Sequence, residues 1–231
     1  MLKTGEQVLA IIIARGGSKS IPRKNVLSLH GKPLVAWPID LATSVDRVDR
    51  IVVSTDDDEI MDIAKQYGAE VPFKRPAKLA QDETETLPVV QHCLSYFFEK
   101  EHYRPGIVLL LYPTAPFLKK ARIEKALDLF EQKQCNSVMS IVEDWGRFWR
   151  LDEFSGRYVP LHPEKRVNRQ YYTPLYREDG AVYFNRYDVI MKKGAIIDEA
   201  NVEFLVMEEG ENIDIDEPQD FKQAERKKIS S

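Results

Sequence analysis

Val8-Leu9-Ala10-Ile11-Ile12-Ile13-Ala14 runs without one polar side chain into Arg15-Gly16-Gly17-Ser18-Lys19-Ser20-Ile21-Pro22-Arg23-Lys24-Asn25. A short, wholly apolar run rich in isoleucine reads as a strand covered on both faces, as in the parallel sheets of α/β proteins. The loop after it combines two adjacent glycines with the cations Arg15, Lys19, Arg23 and Lys24. Glycine lets backbone amides come close to oxyanions and the cations add charge, so the stretch is built like a phosphate cradle. A nucleoside triphosphate is the first ligand to consider. The loop matches neither GxxxxGK[ST] nor GxGxxG. On its own the pattern serves a solvated basic loop as well as a phosphate site.

Working outward, apolar runs and helical periods alternate. The spacing predicts a helix over 34–45, bent or delayed by Pro38, then a strand over Ile51–Ser54. A helix over Asp56–Tyr67 follows, with Asp56, Asp57, Asp58 and Glu59 where the helix dipole favours them and Gly68 as its stop. Glu85–Lys100 and Lys120–Lys133 read as helices, and Ile107–Leu111 and Ser137–Val142 as strands. This rhythm predicts an α/β fold with a doubly wound, mostly parallel sheet and helices on both faces. Ligands then sit beyond the carboxyl ends of the strands. The rhythm breaks from Glu143 to Tyr176, a segment rich in Trp, Arg, Tyr and Pro. It reads as a β-ribbon or arm that caps the site or reaches a second subunit, or as a surface excursion. A strand over Ala181–Phe184, a short helix near Tyr187–Lys192, a strand near Phe204–Val206 and a helix over Pro218–Lys228 complete the pattern. Lys227–Ser231 is expected to fray.

The 231 residues suit one domain, 1–231, with 143–176 as an insertion. A formal net charge of -4 argues against a general nucleic-acid binder. No window is long and apolar enough for a membrane span, and Met1–Gln7 lacks a secretory pattern, so the cytoplasm is the expected location. Cys93 and Cys135 stand apart with no metal-ligand spacing and read as buried free thiols. His30, His92, His102 and His162 share no metal spacing either.

Among the candidates for chemistry, Asp214-Ile215-Asp216 comes after the loop. Alternation in an extended segment puts both carboxylates on one side, where a hard cation such as Mg²⁺ relieves their repulsion. The same residues also serve as a solvated strand end leading to a capped helix at Glu217-Pro218. Ser54-Thr55-Asp56 reads as a helix N-cap. Phe73-Lys74-Arg75-Pro76, with Asp82 and Thr84 after it, is a basic turn. Tyr112-Pro113-Thr114-Ala115-Pro116 is a rigid loop at a strand end where ligands bind. Trp145, Phe148 and Trp149 suit base stacking or core and interface packing.

Taken together these residues resemble the acylneuraminate cytidylyltransferase family, the CMP-sialic acid synthetases. The matches occur in family order: Ala14–Asn25 for ARGGSK-x-IP-x-KN, then Val53-Ser54-Thr55-Asp56, Arg75-Pro76 with Leu79-Ala80, Pro113-Thr114-Ala115-Pro116, Asp179-Gly180-Ala181-Val182-Tyr183 and Ile213-Asp214-Ile215-Asp216. The resemblance implies a Rossmann-like nucleotidyltransferase with a small dimerisation arm. It implies activation of a nonulosonic (nine-carbon α-keto) acid with CTP, in a homodimer. Arg15 and Asn25 then contact the cytidine with Arg75 close by, and the loop Gly16, Gly17, Ser18, Lys19 and Lys24 holds the triphosphate. Asp214 and Asp216 bind Mg²⁺. Tyr112, Thr114, Arg169, Arg177 and Tyr183 surround the sugar acid. Lys24, Asp214 and Arg15 carry the catalysis. The segment 143–176 matches the arm, from which Arg147 or Arg150 reaches the partner subunit's site.

The resemblance departs at one place. Sialic acid members usually carry Gln where this chain has Tyr112, and the Tyr with Ala115-Pro116-Phe117 resembles the pseudaminic acid branch. Tyr176-Arg177-Glu178-Asp179-Gly180-Ala181 looks more like the sialic and legionaminic branches. Other readings are a nucleotidyltransferase for 3-deoxy-manno-octulosonate with CTP, one using GTP with another sugar, and a nucleotide-binding protein without catalysis.

Overall fold

The computed structural model describes residues 5–208, 210–211 and 213–227. The readings of the first four residues and of 228–231 lie outside the described residues. The N-terminal run forms β1 (Val8–Ile13) and its odd and even residues go to different cores. Val8, Ala10 and Ile12 pack in one cluster, Leu9 and Ile11 in another. A strand buried on both faces needs this double apolar set, which explains why no polar residue interrupts it.

A two-stranded ribbon, β2 (Ser28–Leu29) and β3 (Lys32–Pro33), follows the loop. Helix α1 (Ala36–Ser44) starts two residues later than the spacing suggests, so Pro38 falls in its first turn, where a missing N–H costs nothing. Next come β4 (Arg50–Ser54) and α2 (Asp58–Gln66), closed by Gly68 at φ +88°. Then follow α3 (Thr86–Glu101), β5 (Ile107–Leu111) and α4 (Lys120–Lys133). The strand β6 (Ser137–Asp144) is two residues longer than expected.

The irregular segment contains a hairpin of β7 (Phe148–Asp152) and β8 (Arg157–His162) and a short turn at Arg169–Tyr171. The ribbon form is therefore present. The next strand, β9 (Leu175–Arg186), is far longer than the four residues foreseen. Its outer half is exposed and polar, Tyr176-Arg177-Glu178, so no apolar period marks it in the sequence. A π-helical turn at Val189–Lys193, β10 (Val202–Val206) and α5 (Pro218–Arg226) end the described fold.

The main sheet has the order β10-β6-β9-β5-β1-β4. Strands β4, β1 and β5 are parallel, β10 and β6 are parallel, and β9 alone runs antiparallel between β5 and β6. The sheet is mostly parallel, with α1, α2 and α4 on one face and α3 and the π-helical turn on the other. The reversal of β9 was not legible in the sequence. It brings the start of β9, Leu175–Gly180, to the edge where β1, β4 and β5 end. Cys93 and Cys135 are free and buried. No helix among the described residues is long and apolar enough to cross a membrane.

Candidate active site

The loop after β1 is fixed by the neighbouring strand end. Gly16 N–H donates to Asp56 Oδ1 at 3.1 Å, and a Cβ on Gly16 would lie 2.8 Å from Asp57 Cβ. Gly17 has nothing within 4 Å of such a position and borders open space. Ser18 is half-buried in the same turn. Arg23, at φ +57°, is bound to both Asp57 and Glu59. The expected cap of α2 is corrected here. Asp57, not the Ser54–Asp56 run, accepts the helix bond from Ile60 N–H at 3.1 Å. Asp56 is thereby left to serve the loop and Arg75.

Arg15 pairs with Asp82 at 2.8 Å and donates to Gln81 O at 3.1 Å. Lys19, highly exposed, pairs with the same Asp82. Asn25 is buried and its Nδ2 donates to Arg15 O at 2.9 Å, so it holds Arg15's main chain. Arg75 is 3% exposed, with Nη2 3.5 Å from Asp56 Oδ1. Burial lowers its pKa against the attraction of Asp56, and Arg15 pushes the same way as burial. Its Nε is buried and makes no hydrogen bond. Arg15, Asn25, Arg75 and Asp82, with Lys24 and Tyr112, line a cleft of about 220 Å³.

Lys24 is also buried. Its Nζ donates to Ile215 O at 2.7 Å and lies 3.2 Å from Asp216 Oδ1. The acidic segment has the alternation expected of it. Ile215 is fully buried against Ile21, Leu34 and Phe117, while Asp214 and Asp216 face solvent. It leads directly into α5, so the helix-cap reading holds as well. Asp220 accepts from Asp216 N–H at 3.1 Å and Glu217 N–H at 2.7 Å. Ile215 N–H donates to Thr114 O at 2.9 Å, and the Thr114 side chain hydrogen-bonds Asp214. Surrounding protein raises the pKa of Asp214, the Thr114 bond opposes this, and the charge of Asp216 adds to the rise.

Asp214 borders a second, larger cleft of about 670 Å³, lined also by Arg177, Glu178, Asp179, Gly180 and Tyr183. Tyr183 O–H donates to Glu178 Oε2 at 3.3 Å, and burial followed by the Glu178 charge drives its pKa up. Arg177 Nε lies 3.5 Å from Asp144. Tyr112 stands between the clefts. Its hydroxyl donates to Thr86 Oγ1 at 3.3 Å, its ring meets Tyr183 edge-on at 6.3 Å, and burial raises its pKa.

Nine of the sequence candidates line the two clefts, Arg15, Lys24, Asn25, Arg75, Tyr112 and Thr114 the smaller and Arg177, Tyr183 and Asp214 the larger, while Gly16, Gly17, Ser18, Lys19 and Asp216 lie next to lining residues or bond to them. The structure does not bring Arg169 there. That guanidinium lies 4.3 Å over the Trp145 ring in the arm. Sequence reasoning did not assign roles to Asp56, Thr86 or Glu178. Asp56 lay inside a quoted motif, and its place at a strand end was the available signal. Glu178 lay inside the quoted Tyr176–Ala181 run, and Thr86 carried no signal.

The donor set can be tested against Mg²⁺. Asp214 and Asp216 offer hard oxygens close enough for one charge to shift the other's pKa, and no cluster of three or more metal-type side chains occurs among the described residues. Mg²⁺ commonly takes one or two carboxylates and completes its shell with water and substrate phosphates, so the pair fits.

A glycine-rich basic loop after a buried strand, cations in a cleft at the strand ends and a nearby carboxylate pair suit a nucleotide-handling α/β enzyme. A family model described as cytidylyltransferase matches residues 9–227. The chain is 35% identical over 227 residues to CMP-N,N'-diacetyllegionaminic acid synthase of Legionella pneumophila, covering 95% of each. It is 35% identical over 179 residues to pseudaminic acid cytidylyltransferase of Campylobacter jejuni, covering 76% of this chain and 77% of that one. A solved CMP:2-keto-3-deoxy-manno-octonic acid synthetase complexed with CTP has the same fold, with a TM-score of 0.67 over 95% of this chain and 97% of that one at 15% identity. The chain belongs to the cytidylyltransferase family and is a nucleotidyltransferase.

Proposed function

We propose that this enzyme transfers the cytidylyl group of CTP to a nonulosonic acid, giving the CMP-sugar and pyrophosphate. One observation carries the reading: Thr114, which lines the basic cleft, hydrogen-bonds Asp214, which lines the larger cleft. A donor nucleotide in one and an acceptor in the other then touch at the carboxylate pair. Relatives named for pseudaminic and diacetyllegionaminic acids support the acceptor class.

In this reading the base lies near Arg15, Asn25 and Arg75, and the phosphates reach Gly16, Gly17, Ser18, Lys19 and Lys24. The triphosphate competes with Asp82 for Arg15 and Lys19. The C2 hydroxyl oxygen of the sugar acid attacks the α-phosphorus in line, the bond to the β-phosphate oxygen breaks, and pyrophosphate leaves. The chain's main work is to place the two reactants and to offset charge on the phosphoryl oxygens. Lys24, fixed by Ile215 O, supplies a cation that needs no reorganisation. Thr114 holds Asp214 at the junction, while Tyr112, Arg177 and Tyr183 shape the acceptor cleft. Asp214 and Asp216 are the residues that would hold Mg²⁺, which would supply Lewis acidity when bound.

The arm supports a homodimer. Trp149, Leu151, Phe154, Tyr158 and Leu161 are large apolar side chains left exposed on the hairpin, and a second copy of the chain is their proposed cover. Through that contact Arg147, Arg150 or Arg169 comes to the partner's acceptor cleft. The cytoplasm is the proposed location.

The test is a product assay. CTP is offered separately with sialic, legionaminic and pseudaminic acids and with 3-deoxy-manno-octulosonate, and products are read by mass. A CMP-nonulosonic acid with matching pyrophosphate is expected. CTP binding without pyrophosphate release across the panel overturns the reading in favour of a non-catalytic binder, and turnover with GTP alone replaces the donor.

A further inference from the structure

Helix α4 begins against the electrostatic rule for helices. Lys119 is its N-cap and makes no side-chain cap bond, Lys120 and Arg122 lie in its first turn, and no acidic residue does. Three cations beside the positive end of a helix dipole oppose its formation. The charge that offsets them comes from the far end of the chain. Glu211, 2% exposed, receives Arg122 Nε at 2.5 Å and lies 2.7 Å from Lys119 Nζ. Glu208 takes a second nitrogen of Arg122 at 2.6 Å. Burial opposes the charge on Glu211, but Lys119 and Arg122 outweigh it and lower its pKa, so the carboxylate is ionised at neutral pH.

This ion cluster closes a ring through the active site. From Arg122 the chain runs back along the Pro113–Leu118 loop to Thr114. From Glu211 it runs forward to Asp214 and Ile215. The ring closes again where Thr114 accepts from Ile215 N–H and bonds Asp214. Further anchors lie on the same connection: Lys227 donates to Gly210 O and its ammonium sits 4.2 Å over the Phe117 ring, and Met207 N–H donates to Ile141 O at 2.9 Å. A buried carboxylate held at two points thus stands three positions before Asp214 in the sequence.

We propose that Glu211, with Arg122 as its main partner, is a positioning residue for Asp214: it anchors the acidic segment to the start of α4 and so fixes the carboxylate at the junction of the clefts. Glu211 lines neither cleft. The inference rests on the metal reading of Asp214, and the experiment separates the two. Glu211→Gln, Arg122→Lys and Asp214→Ala are compared with the parent protein for folding, for steady-state kinetics and for Mn²⁺ binding, the last read by water-proton relaxation with CTP present and no sugar acid. Glu211→Gln is expected to raise the Mn²⁺ half-saturation about tenfold and to lower kcat, with KM for CTP unchanged at saturating metal. Arg122→Lys keeps the charge but loses the fork that holds both glutamates, and is expected to change the same quantities less. If Glu211→Gln does not fold, Arg122→Lys gives the reading. A lower melting temperature with unchanged Mn²⁺ half-saturation and kcat makes Glu211 a brace for α4 alone and overturns the proposal. Asp214→Ala leaving Mn²⁺ binding intact instead overturns the metal reading.

Discussion

Lys24 Nζ donates to the main-chain oxygen of Ile215 at 2.7 Å, so the basic loop at one end of the chain is bonded directly to the acidic segment at the other. In the proposed mechanism this buried ammonium, facing a carbonyl oxygen and one carboxylate, offsets charge that develops during phosphoryl transfer with little reorganisation left to do.

Lys24→Ala therefore loses both a cation and the join. Turnover is expected to fall by roughly 10²-fold or more. The unpaired Ile215 carbonyl should also cost about 1–3 kcal/mol of stability. Steady-state kinetics and chemical denaturation check the two separately. Near-normal CMP-sugar formation removes Lys24 from the mechanism.

Asp214→Ala is expected to cripple activity even at saturating CTP, because the change strikes the junction and not the nucleotide cleft. Normal turnover by this variant at ordinary Mg²⁺ ends the metal role of the pair.

The two glycines of the loop should separate. Gly16→Ala places a methyl 2.8 Å from Asp57 Cβ, and the strand end must shift, at about 1–3 kcal/mol. Gly17→Ala meets open space and should leave the melting temperature unchanged while raising KM for CTP. Equal effects of both on stability contradict this account of the loop.

Asp57 sets an acid limb of stability. Its hydrogen bonds to Arg23 hold its pKa below the ordinary carboxylate value, burial opposes this, and the Ile60 N–H bond adds to the lowering. Its folded pKa thus lies below its unfolded one, near 3.9 in model peptides. The contribution is full above that value and is lost as pH falls through the folded pKa. Asp57→Asn should flatten this loss and, since Asn also caps helices, cost under ~1 kcal/mol through the cap. Melting curves between neutral and acid pH measure it, and a parallel fall in both proteins rejects the assignment.

Tyr112 fills the wall between donor and acceptor. Tyr112→Gln should change the ratio of kcat/KM between sialic and pseudaminic acids by about tenfold or more, leaving KM for CTP within a factor of about two. An unchanged ratio removes Tyr112 from acceptor choice.

Much of this molecule was legible in the sequence, for identifiable reasons. Strand β1 and helix α4 (Lys120–Lys133) have full apolar periods, and both were located from them. The alternation at Asp214-Ile215-Asp216 gave the right faces because Ile215 is the buried member. Strand β9 was underestimated because its first residues are polar and face a cleft, which erases the period-two signal. The role of Asp56 was hidden because a strand-end Asp before an acidic helix start looks like a cap, and only the fold shows that Asp57 takes that position. Glu211 had no signal, since its partners Lys119 and Arg122 are distant in sequence.

The reversed strand β9 divides labour along the gene as well as across the sheet. In the proposed function, donor recognition is written mainly in the first half of the chain, at Arg15 to Asn25 and Arg75. Much of the proposed acceptor wall is written at Arg177 to Tyr183, on a strand that returns to the same edge from the opposite direction. On that reading, mutations that retune the acceptor can accumulate at the mouth of β9 while the donor-reading code stays untouched, and Tyr112, whose ring meets Tyr183, is a position where the two texts overlap.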